Sequence, residues 1–255
     1  MIQLHAQELM GAIENGFGSK ITDEKLGDDA YDILYNLQRN CYHFSGAKNW
    51  NQIQEMSRLL TRDGQTVSFA NFLKDVKEID KTYNQSYLKA EYNHALTSGQ
   101  MAGKWTQFMQ EADALPYLEY DAVMDGRTRE DHAKMDKIVR PIKDDFWKKY
   151  YPPNGWNCRC KVRQLDEIDA DGREAEPLPA LPKVPPMFQN NVAIDGQAFS
   201  SKHSYFKTMP EKVRKEVMVV SDSLLLKNSF KQMVINKFDK GKVLSSSLVL
   251  SLIHI

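Results

Sequence analysis

Residues 121–132 hold the densest set of chemically able side chains in the chain: Asp121, Asp125, Arg127, Arg129, Asp131 and His132. Asp144, Asp145, Trp147, Trp156, Cys158, Arg159 and Cys160 follow downstream. Two chemistries can be built from this set. On a strand, Cys158 and Cys160 point to one face and Arg159 to the other. Two thiolates so placed could join the His132 imidazole and a carboxylate or water around zinc, whose preference for mixed sulfur and nitrogen donors fits them. The spacing argues the other way. Only one residue separates the cysteines, where paired zinc ligands usually have two or more between them. The bland alternative is two reduced, half-buried thiols beside a histidine that makes hydrogen bonds in the first turn of its helix. A disulfide between Cys158 and Cys160 would be strained.

The second chemistry is hydrolysis or group transfer. Asp125, Asp131 and His132 could supply acid and base, and Arg127 or Arg159 could hold a phosphate. Neighbours such as Asp131 and His132 do not face each other on a helix, which makes them a poor catalytic pair. An arginine, Arg127 or Arg159, clamping Asp125 explains the same residues with fewer assumptions. The sequence contains no phosphate-binding glycine loop, nucleophile elbow or His-Glu-x-x-His. The expectation is therefore a protein with no catalytic residues.

The elements that must position these groups are read from periodicity. Residues 1–40 read as helical, and the Gly46-containing stretch 41–48 reads as a break. Residues 51–60 read as a helix, closed by a turn at Arg62-Asp63-Gly64. One or two long helices cover residues 68–110, with a break near Asn84 or Gly99, and their aromatic stripe (Phe69, Phe72, Tyr83, Tyr92, Trp105, Phe108) reads as a core face. Residues 117–124 and 158–165 read as strands that pair with each other. Thr128 to Asp131 resembles a capping box that starts a short helix, and a second short helix spans 144–150, stopped by Pro152-Pro153. Asn154-Gly155 makes a tight turn there and Trp156 anchors it, as Trp147 anchors the short helix.

Five of the ten prolines fall at 177, 179, 182, 185 and 186, a run that favours extended polyproline geometry. Residues 209–238 read as helical. Residues 243–255 lack Asp, Glu, Lys and Arg and differ in composition from all that precedes. Whether they are a genuine C-terminus is left open. The fold class expected is α+β: a mainly helical N-terminal half, a small β-sheet module, a proline-rich linker and a helical tail. The boundaries expected are a helical region at 1–115, the α+β module at 116–168, the linker at 169–188 and the tail at 189–255.

Composition narrows the function. Lys+Arg and Asp+Glu number 34 each, so the formal net charge is zero. Tight nucleic-acid binders usually carry a basic excess, because phosphate contacts dominate their affinity. The basic residues of 134–163 are interleaved with acidic ones and read as a solvated face. Three cysteines, one alone and two as Cys-x-Cys, do not make a secreted disulfide framework and fit reduced, intracellular thiols. No secretory signal opens the sequence and no stretch is apolar enough to span a bilayer.

Taken together, Leu118-x-Tyr120, Asp125-x-Arg127-x-Arg129-x-x-His132, Phe146-Trp147 and the block from Pro152-Pro153-Asn154-Gly155-Trp156 to Cys158-Arg159-Cys160-x-Val162 resemble the phage Mu F-like family of minor head, or head-morphogenesis, proteins of phages and prophages. Phe44-Ser45-Gly46-Ala47-Lys48, Phe69-Ala70-Asn71-Phe72, Tyr83-Asn84 and Glu91-Tyr92-Asn93 resemble its helical half, so the likeness covers about residues 30–165. On that likeness Asp125, Arg127, His132, Trp147, Pro153, Trp156 and Arg159 are motif residues with structural roles. The resemblance implies virion assembly through protein contacts with the portal and with capsid or scaffold proteins, in the host cytoplasm and then in the virion head. It implies no small-molecule substrate and no membrane; DNA contact inside the head stays open. Two alternatives stand beside it: a nucleic-acid-processing or transferase enzyme using Asp125, His132 and Arg159, and a metal-stapled structural module with zinc on His132, Cys158 and Cys160. One departure is Met135-Asp136-Lys137, where the family pattern leads one to expect a turn ending in glycine.

Overall fold

A computed structural model describes residues 1–239. The predicted class holds: the architecture is α+β and mainly helical, with small antiparallel sheets. Helices α1 (Ile2–Phe17), α2 (Asp28–Arg58) and α4 (Leu88–Gln110) form the frame. Leu9 and Ile13 of α1, Leu34, Leu37 and Phe44 of α2, and Ala95, Met101 and Ala102 of α4 are buried in one common core. Removing such side chains from water is the main favourable term in their packing.

Helix α2 runs unbroken through residues 41–48, against the expected break. Gly46 is there for a crossing. A Cβ at that position would lie 2.5 Å from Ser221 Oγ and 2.8 Å from Val217 Cγ1, both on α10 (Glu211–Asp239). The glycine lets two helices approach; it does not end one.

A two-stranded hairpin, β1 (Thr61–Arg62) and β2 (Gln65–Thr66), turns the chain into α3 (Phe69–Lys81). A π-helical turn at Thr82–Tyr87 then leads into α4, which places the expected interruption at Asn84. Ser68 caps α3 by accepting a hydrogen bond from the Asn71 amide. The aromatic stripe divides here. Tyr83, Trp105 and Phe108 are buried, but no residue of α3 is, and Phe69 is 74% exposed. The apolar face of α3 is thus only partly covered among the described residues, a correction to its reading as a core face.

The sheet module follows. Strand β3 (Tyr117–Asp121) lies between β4 (Val139–Pro141) and β5 (Lys161–Leu165), antiparallel to both. The 117–165 pairing matches the sequence reading, with Tyr120 opposite Val162. Strand β4 is too short to leave a period-two signature, and the sequence reading has no strand there. Leu118, Tyr120 and Val162 face the main core. On the other face Glu119 is 1% exposed and meets Arg163 at 2.8 Å, Arg173 at 2.5 Å and Lys137 at 3.2 Å. Burial raises the Glu119 pKa, but these three cations outweigh it and hold the carboxyl below the ordinary value.

Helix α5 (Glu130–Ala133) begins one residue later than a cap at Thr128 would require, with Arg129 in the cap position. Thr128 Oγ1 hydrogen-bonds the Val123 carbonyl instead and stays with the preceding loop. The turn expected to end in glycine is present without one: Lys137 takes φ 64° and its amide donates to the Tyr120 carbonyl at 2.8 Å. Helix α6 (Phe146–Tyr150) buries Phe146 and Trp147.

After α7 (Glu167–Ala170) residues 177–185 form neither helix nor strand, Pro186 opens a 3-10 turn, and the stretch is tied down. Arg140 donates to the carbonyls of Glu174 and Glu176, and Val184 is buried in the main core. Two short helices, α8 (Val192–Asp195) and α9 (Ser204–Lys207), bring Phe188, Phe199 and Phe206 onto the frame. Phe199 stacks on Phe44 with ring centroids 3.9 Å apart. Helix α10 then lies against α2, where Arg39 holds Asp222 through two hydrogen bonds of 2.8 and 2.9 Å. No described helix is long and apolar enough to cross a membrane. The stretch 243–255 lies outside the described residues.

Candidate metal centre

The segment from Pro152 to Cys160 is built as a folded turn against β3 and α5. Pro152, Pro153 and Asn154 are buried, and the Pro152-Pro153 peptide is cis. Tyr120, wholly buried on β3, donates its hydroxyl to Asn154 Oδ1 at 3.0 Å. The Asn154 amide in turn reaches the Tyr151 and Phe188 carbonyls at 3.4 and 3.5 Å. Tyr151 donates to the Met101 carbonyl of α4 at 2.8 Å. Trp156 is half-buried among the rings of His94, Phe188 and His203. Trp147 is fully buried, with its Nε1 3.4 Å from the Arg140 carbonyl. Arg129 crosses to the turn and donates to the Trp156 carbonyl at 2.6 Å.

The thiols emerge from this turn. Strand β5 begins only at Lys161, so Cys158 and Cys160 precede it, against the expectation that both sit on the strand. Their convergence has a different cause. Asn157 adopts the left-handed region at φ 55°, and the Cys158 amide returns to the Gly155 carbonyl at 3.2 Å. This loop, with α5 opposite, brings both sulfurs to His132. The Nδ1 atom lies 3.3 Å from Cys160 Sγ and 3.6 Å from Cys158 Sγ. All three ligand atoms fall within 4.8 Å of one another and all three residues are buried. The hydrogen bond from Cys158 lowers the Cys160 pKa against the effect of burial, and His132 adds to the lowering. That same contact, with burial, pushes the Cys158 thiol up. The group can therefore present a thiolate, a thiol and an imidazole to a cation.

Asp125 and Arg159 pair on the exposed loop side, where Arg159 also borders the small cavity lined by His132, Cys158 and Cys160. Arg159 grips the Asp125 carboxylate with two hydrogen bonds of 2.7 and 2.8 Å. The guanidinium holds the carboxyl below the usual range, with the Arg127 amide adding to it. Arg127 itself is 80% exposed and 3.8 Å from the same carboxylate. Of the two arginines expected to clamp Asp125, Arg159 is the bidentate one. The set Asp125, His132 and Arg159 does not converge on one point: the carboxylate is occupied by the guanidinium, and the imidazole nitrogen faces the sulfurs.

Several buried polar groups have partners that the sequence does not mark. Lys48 and Glu91, each 3% exposed, pair at 2.5 Å between α2 and α4. His5 of α1 joins them at 3.0 Å from Glu91 and 2.8 Å from Ser45 Oγ. His94 is buried with its Nε2 on the Ala198 carbonyl at 2.8 Å, and burial lowers its pKa to about 4. Burial lowers His203 to about 4 as well. Periodicity marks such positions only as helix-facing, not as charged partners.

Residues 51–163 match the family described as phage Mu protein F like protein, so the resemblance drawn from the motifs is borne out over that segment. The putative capsid assembly protein F of Escherichia phage Mu is 51% identical over 74 residues, 29% of this chain and 17% of that protein. The Mu-like prophage FluMu F protein of Haemophilus influenzae is 39% identical over 72 residues, 28% of this chain and 17% of that protein. The aligned stretch is thus 17% of the length of each of these relatives. No solved structure matches.

Proposed function

We propose that this chain, which carries the phage Mu protein F like segment over residues 51–163, acts in phage or prophage head morphogenesis as a minor head protein. It works by protein contacts and not by catalysis. Its partners are the portal and capsid or scaffold proteins, met first in the host cytoplasm and then in the virion head. The relative of phage Mu is named a putative capsid assembly protein, which supports the assembly role. The observation that carries the contact mode is α3. It lies inside the matched segment, buries none of its residues, and exposes Phe69 and Leu73 at 74% and 40%. An apolar helix face left open among the described residues is a surface for another protein.

The test is co-purification with the product of the neighbouring portal-type gene. Phe69→Glu with Leu73→Glu is expected to abolish the complex while leaving the circular dichroism spectrum unchanged. Absence of any complex with the unaltered chain would sink the reading.

The enzyme alternative on Asp125, His132 and Arg159 loses support from their separation into an exposed ion pair and a buried imidazole. The metal-stapled alternative is compatible with assembly and joins it: His132, Cys158 and Cys160 form a fold-holding clamp whose cofactor is zinc.

A further inference from the structure

We propose that the zinc of this clamp has three protein ligands, His132 Nδ1, Cys158 Sγ and Cys160 Sγ, and one water, so that one coordination position is exchangeable. The proposal rests on the clamp reading and is independent of head assembly. Its first support is metric. Zinc–nitrogen and zinc–sulfur bonds at a tetrahedral angle put nitrogen and sulfur about 3.6 Å apart. The two separations here are 3.3 and 3.6 Å. Both nitrogen–sulfur separations are close to those a tetrahedral zinc requires.

The second support is what surrounds the fourth corner. All three ligand residues line a cavity of about 20 Å³. A single water needs roughly 10–15 Å³ of such space. The other side chains around it are Val123, Thr128, Asn157 and the arginines 127, 129 and 159. None offers an imidazole, thiolate or carboxylate. Arginine stays protonated and has no lone pair to give. Thr128 is engaged by the Val123 carbonyl, and Asn157 Oδ1 accepts from Asn93. Among the described residues no fourth His, Cys, Asp or Glu joins the group. The corner therefore falls to solvent. With Arg159 paired to Asp125, Arg127 and Arg129 remain beside the cavity and make it a positive corner, suited to a small anion in place of water.

The experiment uses the full chain. Zinc is measured after desalting in the wild type, in Cys41→Ser and in Cys158→Ser/Cys160→Ser. About one zinc per chain is expected in the first two and a trace in the third. Zinc X-ray absorption is expected to fit two sulfurs and two nitrogen or oxygen neighbours. In the cobalt-substituted wild type, azide is expected to shift the visible bands. No metal in the folded wild type, even after added zinc, would overturn the clamp itself. Metal retained by the double variant would do the same. Metal with a third sulfur in the shell, or with bands that azide leaves unmoved, would keep the clamp and overturn the open position.

Discussion

The helical frame and the sheet module bury their polar groups in opposite ways. In the frame, α1 and α4 approach so closely that a Cβ on Gly99 would lie 2.1 Å from the Ile13 carbonyl oxygen, and the contact continues along both helices. One charged group, Lys48 with Glu91 and His5, sits inside that regular packing. In the module the strands have three to five residues, and the loops between them are held by single side chains: Tyr120 on Asn154, Arg129 on Trp156, His132 beside two thiols. Frame stability is spread over many similar contacts, while the module depends on a few dissimilar ones.

The sharpest way to break that contrast is Glu91→Leu. It strands Lys48 as a buried, unpaired charge, and a loss of about 3–5 kcal/mol in denaturant unfolding is expected. The double variant Lys48→Met/Glu91→Leu should recover part of it; no recovery would mean the pair is not the cause. Next, Gly99→Ala forces backbone apart along α1 and α4 and should cost about 3 kcal/mol, read from the same unfolding curves.

Acid comes third. His94 and His203 have folded pKa values near 4, below the unfolded value. Below about pH 6.5 the unfolded chain takes up protons that the folded chain refuses, so stability falls with pH until about 4. Between pH 7.5 and 5.5 the two together should remove about 3 kcal/mol, and His94→Gln/His203→Gln should flatten that slope. Tyr120→Phe removes one hydrogen bond from the module and should cost about 1 kcal/mol. Hydrogen exchange should show the effect at residues 152–165 and not in α1 or α4. The smallest effect belongs to Arg159→Ala, which frees an exposed ion pair and should leave the melting temperature unchanged.

Legibility followed the same divide. Helix α4 and the β3–β5 pairing could be read because their apolar residues repeat at 3.6 or 2 along contiguous stretches, whereas the loop at 18–27 that separates α1 from α2 falls inside a stretch read as helical throughout. Strand β4, three residues long, could not be. Gly46 misled because a glycine at a helix crossing and a glycine at a helix end look alike in sequence. The stripe on α3 misled because periodicity shows that a face is apolar, not whether anything covers it. At the site, the residue types of the His/Cys/Cys group were legible, but their geometry was expected from a strand and came from a left-handed turn at Asn157.

By itself the sequence determined the family segment, the α+β class and the residue types available for a metal, since these depend on composition, local period and ordered motifs. The tertiary structure alone decided that His132 meets Cys158 and Cys160 across 26 and 28 residues, that Arg159 and not Arg127 grips Asp125 with two bonds, and that Lys48 finds Glu91 across 43. The physical reason is range. Local preferences act over one or two turns of chain, while the partners of a buried polar group are fixed by how whole elements pack.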